Sequence, residues 1–254
     1  MEILGIDIGG SGIKGAPVDV KKGRLTADRF RIPTPQPSNP DAVGETMAEI
    51  AKHFGWKGPI GCTFPAVVKK GIVHSAANVD KAWIGVNGRD LFEKETGCPV
   101  LLLNDADAAG YAEMRFGAGW QRSGVVFVLT LGTGIGSAVF TDGVLLPNTE
   151  LGHMQILCDK RGLVEAEDHA SDRARKEEKL TWKAWAKRLN TLLGTLEALF
   201  SPDLFILVGW VSKKHPNYLT LLKTREEVMP ADLLNEAGIV GAALAAKPLR
   251  KGKR

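Results

Sequence analysis

The chain has 254 residues, 44% of them hydrophobic, and a mean hydropathy of −0.05, which fits a soluble globular protein of one large domain or two lobes and excludes a disordered chain. Its 33 basic and 29 acidic residues leave a net charge of +4, too mild to point to nucleic acid yet compatible with an anionic substrate. Apolar runs are strand-sized, so no membrane span is expected. No basic-then-apolar leader follows Met1, and Cys62, Cys98 and Cys158 show no pairing pattern. The expected location is the reducing cytoplasm.

Glu2 to Asp7 reads as a strand, and Asp7-Ile8-Gly9-Gly10-Ser11-Gly12-Ile13-Lys14-Gly15 follows. Gly9, Gly10, Ser11 and Gly12 can turn backbone N–H groups toward a phosphate without side-chain obstruction, and Lys14 adds a point charge. The stretch also matches G-x-G-x-x-G, but that motif needs a helix next. Ala16-Pro17-Val18 favours a second strand instead, and an ordinary hairpin is the alternative reading. Asn39 offers an N-cap with Pro40 at the first helical position, for a helix running to Phe54 and stopping at Gly55. Ile60 to Thr63 reads as a strand, and Val67 to His74 as a hairpin turning at Lys69-Lys70-Gly71. The polar loop Ala76 to Trp83, with Asn78 and Asp80, could face a sugar or be a plain turn. Asn87 to Glu95 reads as a capped helix closed by Gly97.

Val100-Leu101-Leu102-Leu103 is a short buried strand that delivers Asn104 and Asp105 to its carboxyl end, before a helix over Ala106 to Met114. A carboxylate there sits at a cleft mouth, where open α/β sheets bind ligands. Asp105 is therefore a candidate general base. Capping of the helix by Asn104 or Asp105 is the alternative.

Val125 to Leu131 is a buried strand that enters Gly132-Thr133-Gly134-Ile135-Gly136. A strand over Ser137 to Phe140 and a turn at Asp142-Gly143 follow. This repeats the opening layout of strand, glycine turn, strand, and predicts an internal duplication with two lobes facing one cleft. Glu150 and His153 lie three apart and can share one face of a turn, ready to bond sugar hydroxyls. A capping role is the alternative, and a metal would need more ligands than Cys158 offers. Arg161 to Lys179 reads as a solvated charged helix. Thr181 to Phe200 is a long amphipathic helix whose apolar face, Leu199 and Phe200 included, is expected in a core, with a subunit contact as the alternative. Leu204 to Val208 is a strand, and Ala237 to Ala246 is a small-residue helix able to approach other backbones.

The segments D-I-G-G-S-G-I-K-G, A-A-N-V-D-K-A-W-I-G, L-N-D-A-D-A-A-G, L-T-L-G-T-G-I-G-S-A-V, P-N-T-E-L-G-H and G-I-V-G-A-A-L, in this order from Ile3 to Leu244, resemble the polyphosphate glucokinase branch of the ROK sugar kinases. The resemblance implies an α/β, actin-like (ribonuclease H-like) two-lobed fold of duplicated units. A small lobe over 1–108, joined by the helix 236–247, and a large lobe over 109–235 are expected, in a homodimer. It implies phosphoryl transfer from polyphosphate, ATP or both to the 6-hydroxyl of glucose, with magnesium. Asp105 resembles the catalytic base. Asn78, Asn104, Glu150 and His153 resemble glucose ligands, and Glu167 a further sugar carboxylate, with Glu165 a rival in that register. The turns Gly9 to Lys14 and Gly132, Thr133, Gly134 and Gly136 resemble the two phosphate sites. Asp7 is a candidate for magnesium, directly or through water. Val208-Gly209-Trp210-Val211-Ser212 departs from the family's glycine-rich loop near the adenosine. Trp210 either fills the nucleotide pocket or stacks on a base. Two further readings stand beside the kinase: a sugar-responsive repressor, for which no N-terminal helix-turn-helix precedes the first strand, and a sugar-binding pseudoenzyme.

Overall fold

The structure, a computed structural model, describes residues 1–76, 79–158 and 161–251. Strands β1 (Glu2–Gly9), β2 (Gly12–Asp19), β3 (Arg24–Leu25) and β4 (Phe30–Ile32) precede helix α1 (Pro40–His53). Next come β5 (Ile60–Phe64), β6 (Val68–Lys69), β7 (Ile72–Val73), α2 (Gly88–Thr96), β8 (Val100–Asn104) and α3 (Asp105–Phe116). The chain continues with β9 (Val125–Leu131), β10 (Ile135–Thr141), β11 (Val144–Leu146), β12 (Gln155–Cys158), β13 (Gly162–Glu165), α4 (Ala166–Ala170) and α5 (Asp172–Glu177). It ends with α6 (Trp182–Phe200), β14 (Leu204–Val208), β15 (Glu227–Pro230) and α7 (Ala237–Ala245).

These elements form two units, Met1–Phe116 with the chain from Glu236 onward, and Gly117–Asn235. A boundary at 108 would cut α3, one unbroken helix that stays with the first unit to Phe116.

The first unit's sheet runs β3-β2-β1-β5-β8, with β4 also on β2; the second unit's runs β11-β10-β9-β14-β15. Both are wired alike. The leading strand pairs antiparallel with its hairpin partner on one side and parallel with a later strand on the other. Ile3, Leu4 and Ile6 of β1 and Val126, Phe127, Val128 and Leu129 of β9 are fully buried, as strands covered on both faces require. A right-handed crossover between parallel strands needs intervening helix, which α1, α2 and α6 supply.

The helix starts follow cap chemistry. Asn39 accepts from Ala42 N at 2.9 Å, with Pro40 in the first turn of α1. Asn87 accepts from Asp90 N at 3.2 Å, and Gly97 closes α2 in the left-handed region at φ 66°. Helix α7 is built of small residues because it packs backbone to backbone. A Cβ on Gly61 would stand 1.8 Å from the Ala242 carbonyl oxygen, and one on Gly241 1.7 Å from that of Ala108.

Three expectations are corrected. Arg161 to Lys179 is not one solvated helix. It holds β13, paired with β12, and then two short helices broken at Ser171. The break is held from inside: the Trp185 indole donates to the carbonyls of Ala170 and Ser171 at 2.9 and 3.2 Å, and Asp172 is buried. Leu199 and Phe200 are 64% and 45% exposed, although the Phe200 ring still lies 5.3 Å from that of Phe127 on β9. Ile135 and Gly136 belong to β10, so the second glycine turn is only Gly132 to Gly134.

Candidate active site

In the first unit, β1 and β2 pair through Gly9↔Gly12, leaving Gly10 and Ser11 as the tip of a tight turn. Asp7 faces Lys14 across this ladder, and the Lys14 ammonium lies 2.9 Å from Asp7 Oδ2. The Thr63 hydroxyl donates to Asp7 Oδ1 at 2.8 Å and accepts from Ile8 N at 3.1 Å. Both Asp7 oxygens are thus engaged. Arg31, on β4 opposite Lys14, donates to the Ser11 carbonyl at 2.6 Å, and its guanidinium fills the space beside Gly12. Two cations therefore border the first glycine turn. Arg31 gave no sequence signal, because only the β2–β4 register brings it there.

At the end of β8, Asn104 is 6% exposed. Its Oδ1 accepts from Ala106 N and Asp107 N at 2.8 and 3.1 Å, and its amide donates to the Ala66 carbonyl at 3.2 Å. Asn104 is therefore the cap of α3, and its carbonyl oxygen is committed to that role. One amide proton at most is left for a sugar. Asp105, the next residue, is half-buried, and its Oδ1 accepts from Ala106 N at 2.9 Å. Asn78 lies outside the described residues. Asp80, in the same loop, caps a short turn by accepting from Ala82 N at 2.9 Å.

In the second unit, Gly132, Thr133 and Gly134 join β9 to β10. Gly132 N donates to the Gly134 carbonyl at 3.0 Å, Ile135 N to Glu167 Oε2 at 3.3 Å, and Gly136 N to the Thr130 hydroxyl at 3.1 Å. The Gly136 amide is thus used within the hairpin, and Gly132 and Thr133 are the exposed residues of the turn, with Gly134 half-buried. Glu167 closes over Gly134: a Cβ at that position would stand 2.4 Å from Glu167 Oε2. Arg173 locks the turn from outside, donating from its backbone to Gly132 at 3.1 Å and from Nε to the Thr133 carbonyl at 2.8 Å.

Glu150, His153, Glu165 and Glu167 gather beside this turn. His153 Nδ1 lies 3.0 Å from Glu165 Oε2, and its Nε2 lies 3.9 Å from Glu150 Oε2. The bond to Glu165 lifts the His153 imidazole above its ordinary range, against the opposing effect of desolvation. Burial lifts the Glu150 carboxyl, His153 pulls it back, and Glu167 pushes it up. Glu165 and Glu167 are thus both in the cluster, Glu165 orienting His153 and Glu167 joining the turn. Ligand atoms of His153, Glu165 and Glu167 lie within 4.8 Å of one another, a spacing a cation could share.

Against this geometry, the sequence profile of the ROK family matches residues 3–166. The chain belongs to the ROK family. It is 50% identical over 243 residues to the polyphosphate glucokinase of Mycobacterium tuberculosis (strain CDC 1551), a match covering 95% of this chain and 90% of that protein. The crystal structure of the inorganic polyphosphate/ATP-glucomannokinase from Arthrobacter sp. strain KM superposes with a TM-score of 0.91 at 47% identity, covering 98% of this chain and 99% of that one. A ROK family glucokinase from Streptomyces griseus, in complex with glucose and AMPPNP, gives a TM-score of 0.80 at 25% identity, covering 98% and 100%. The fold is the actin-like α/β fold of ROK sugar kinases, built from duplicated units.

Two further features lie in the second unit. Cys158 Sγ is 3.4 Å from His169 Nδ1, with the Arg161 guanidinium 2.7 Å from the same nitrogen. Burial and then the nearby Arg161 and Arg188 push the His169 imidazole down to about 4. Trp210 follows Gly209 at the end of β14, is 45% exposed, and lies near-parallel to Trp182 with centroids 6.2 Å apart.

Proposed function

We propose that the protein transfers a phosphoryl group from inorganic polyphosphate, ATP or both to the 6-hydroxyl of glucose. ROK membership supports the class of reaction. The observation that carries the assignment of roles is that Asn104, not Asp105, provides the two-bond cap of α3. Asp105 stands beside it at the strand end, its Oδ1 also accepting from Ala106 N, with a carboxylate suited to taking the hydroxyl proton. Phosphoryl transfer asks for positioning and charge neutralisation more than covalent help. Glu150, His153 and Glu167 hold sugar hydroxyls, since a neutral sugar must be fixed by directional bonds. Glu165 orients His153. Asn104 contributes its remaining amide proton, and Asn78 is carried over from the resemblance alone.

The turns at Gly9 to Gly12 and Gly132 to Gly134 receive phosphate, chiefly through Gly10, Ser11, Thr133 and Gly134, with Lys14 and Arg31 beside the first. Asp7 fits magnesium through the ion's water shell better than directly, because Lys14 and Thr63 already occupy its oxygens. Such an ion would supply charge neutralisation at the donor. No helix among the described residues is long and apolar enough to cross a membrane. The proposed place of the reaction is the cytoplasm. A homodimer is proposed as well, supported by outward apolar side chains such as the cross-strand pair Leu157 and Leu163. Light scattering tests it.

The deciding experiment is a coupled glucose 6-phosphate assay with polyphosphate and ATP supplied separately. Turnover with polyphosphate is expected. No product with either donor would overturn the reading and leave a sugar-binding protein without kinase activity.

A further inference from the structure

The second unit carries a cluster of positive charge that the sugar site does not use. Arg175 Cζ, Lys176 Nζ and Lys214 Nζ lie 5.8, 5.3 and 5.3 Å from the centroid of the Trp210 ring. Arg175 also sits 4.2 Å over Trp182, the ring that lies near-parallel to Trp210. Lys213 and Lys214 are exposed neighbours in sequence. The one buried carboxylate here, Asp172, is shared: Arg175 Nε at 2.9 Å and Lys176 Nζ at 2.7 Å both pair with it. Among the described residues, no carboxylate pairs with Lys214. Cation–π contact with an exposed ring contributes only about 0.5–1 kcal/mol, so gathering three like charges on one indole is not explained by stability.

The cluster is continuous with the second glycine turn. Helix α5 begins where Arg173 bonds the carbonyls of Gly132 and Thr133, and Arg175 and Lys176 lie further along the same helix. From the other side, Gly209 approaches the residue before the turn, with a Cβ at that position 2.9 Å from the Leu131 carbonyl oxygen. The carboxyl ends of β9 and β14, paired through Val208↔Thr130, thus present the turn and the basic rings together. We propose that Arg175, Lys176 and Lys214, fixed on the Trp210–Trp182 platform, are the track that carries the polyphosphate chain beyond the transferred phosphate. This rests on the reading above that polyphosphate is a donor. The Trp210 indole holds the exposed ammonium groups of Lys176 and Lys214 in place, while the Arg175 guanidinium is pinned at its inner edge between Trp182 and Asp172. A linear polyanion with a charge on every phosphate fits such an array. A nucleobase would have to displace the cations to stack on Trp210.

The test measures binding apart from catalysis. End-labelled long-chain polyphosphate is titrated with the full-length protein without sugar and followed by fluorescence anisotropy. Unlabelled polyphosphate, ATP and a single-stranded oligonucleotide serve as competitors. Lys214→Ala and Lys176→Ala should each weaken polyphosphate binding about tenfold, the loss of one charged contact. The double variant should lose more and show a shallower salt dependence. Lys214→Arg should restore binding, and Lys52→Ala, which removes a surface charge on α1 in the other unit, should leave it unchanged. Equal binding by wild type and the double variant would overturn the track, as would an oligonucleotide competing as well as polyphosphate. If the double variant loses binding while wild type makes no glucose 6-phosphate from polyphosphate, the track stands and the donor assignment falls. If wild type turns polyphosphate over and the double variant binds it normally, the reverse holds.

Discussion

At the scale of single residues, two side chains lead to measurable consequences. Asp105→Asn keeps the size of the side chain but removes the proton acceptor. Its kcat with polyphosphate is expected to fall about 10²–10⁴-fold, the usual contribution of a positioned base. The glucose dissociation constant by calorimetry should change little, and undiminished kcat would remove Asp105 from the reaction. His169 makes a prediction about stability. Its imidazole is held down to about 4 by burial, then by Arg161 and Arg188. The unfolded chain takes up this proton near the ordinary value of about 6.5, while the folded chain does not until about pH 4. Stability from this group is therefore complete above about pH 6.5 and is lost as pH falls toward 4. The loss should be about 3 kcal/mol. Urea melts at pH 7 and pH 4.5 of wild type and His169→Gln measure it. The variant should show a flatter pH dependence over that window, and parallel curves would refute the claim.

At the scale of elements, the second glycine turn makes the sharper test. A methyl on Gly134 would meet Glu167 Oε2 at 2.4 Å. The contact is with the far end of a flexible side chain, so Gly134→Ala should displace Glu167 and leave the hairpin folded. Stability should shift by less than about 1 kcal/mol, while KM for glucose rises about tenfold, as for one lost charged hydrogen bond. Glu167→Gln should raise KM similarly; a normal KM in both variants would take Glu167 out of the sugar site. The hairpins that bear the two turns were legible in the sequence, because apolar runs flank glycines at matching offsets. The helix caps Asn39 and Asn87 were legible for the same local reason. The pair β12–β13 was not. Leu157 and Leu163 point outward while Ile156 and Cys158 point inward, so the three consecutive apolar residues Ile156 to Cys158 mask the alternation. Nor were Arg31, Glu165's bond to His153, or the cations around Trp210, since each depends on strand register or on helix docking.

At the scale of the molecule, the wiring of the first unit depends on a helix supplied by the far end of the chain. Helix α7 is apolar around much of its circumference, with Ile239 and Val240 fully buried and Gly241, Ala242 and Ala243 also inside. It meets β5 and α3 backbone to backbone at Gly61 and Gly241. Burying Ile239 and Val240 alone contributes about 3–6 kcal/mol, comparable with the whole stability of about 5–15 kcal/mol expected of a domain. A fragment ending at Asn235 keeps every residue of the second unit, but its first unit would have to expose one face of β1 and β5. That fragment should lose the cooperative melt of the first unit by calorimetry, while the transition of the second unit, with its own core around Trp185, Leu189 and Leu193, survives. Gly61→Ala is the milder version of the same test. Its added methyl meets backbone, which cannot swing aside as a side chain can, and it should lower stability by about 1–3 kcal/mol or more. A truncated chain that melts like the intact one would mean that α7 covers the sheet without holding it.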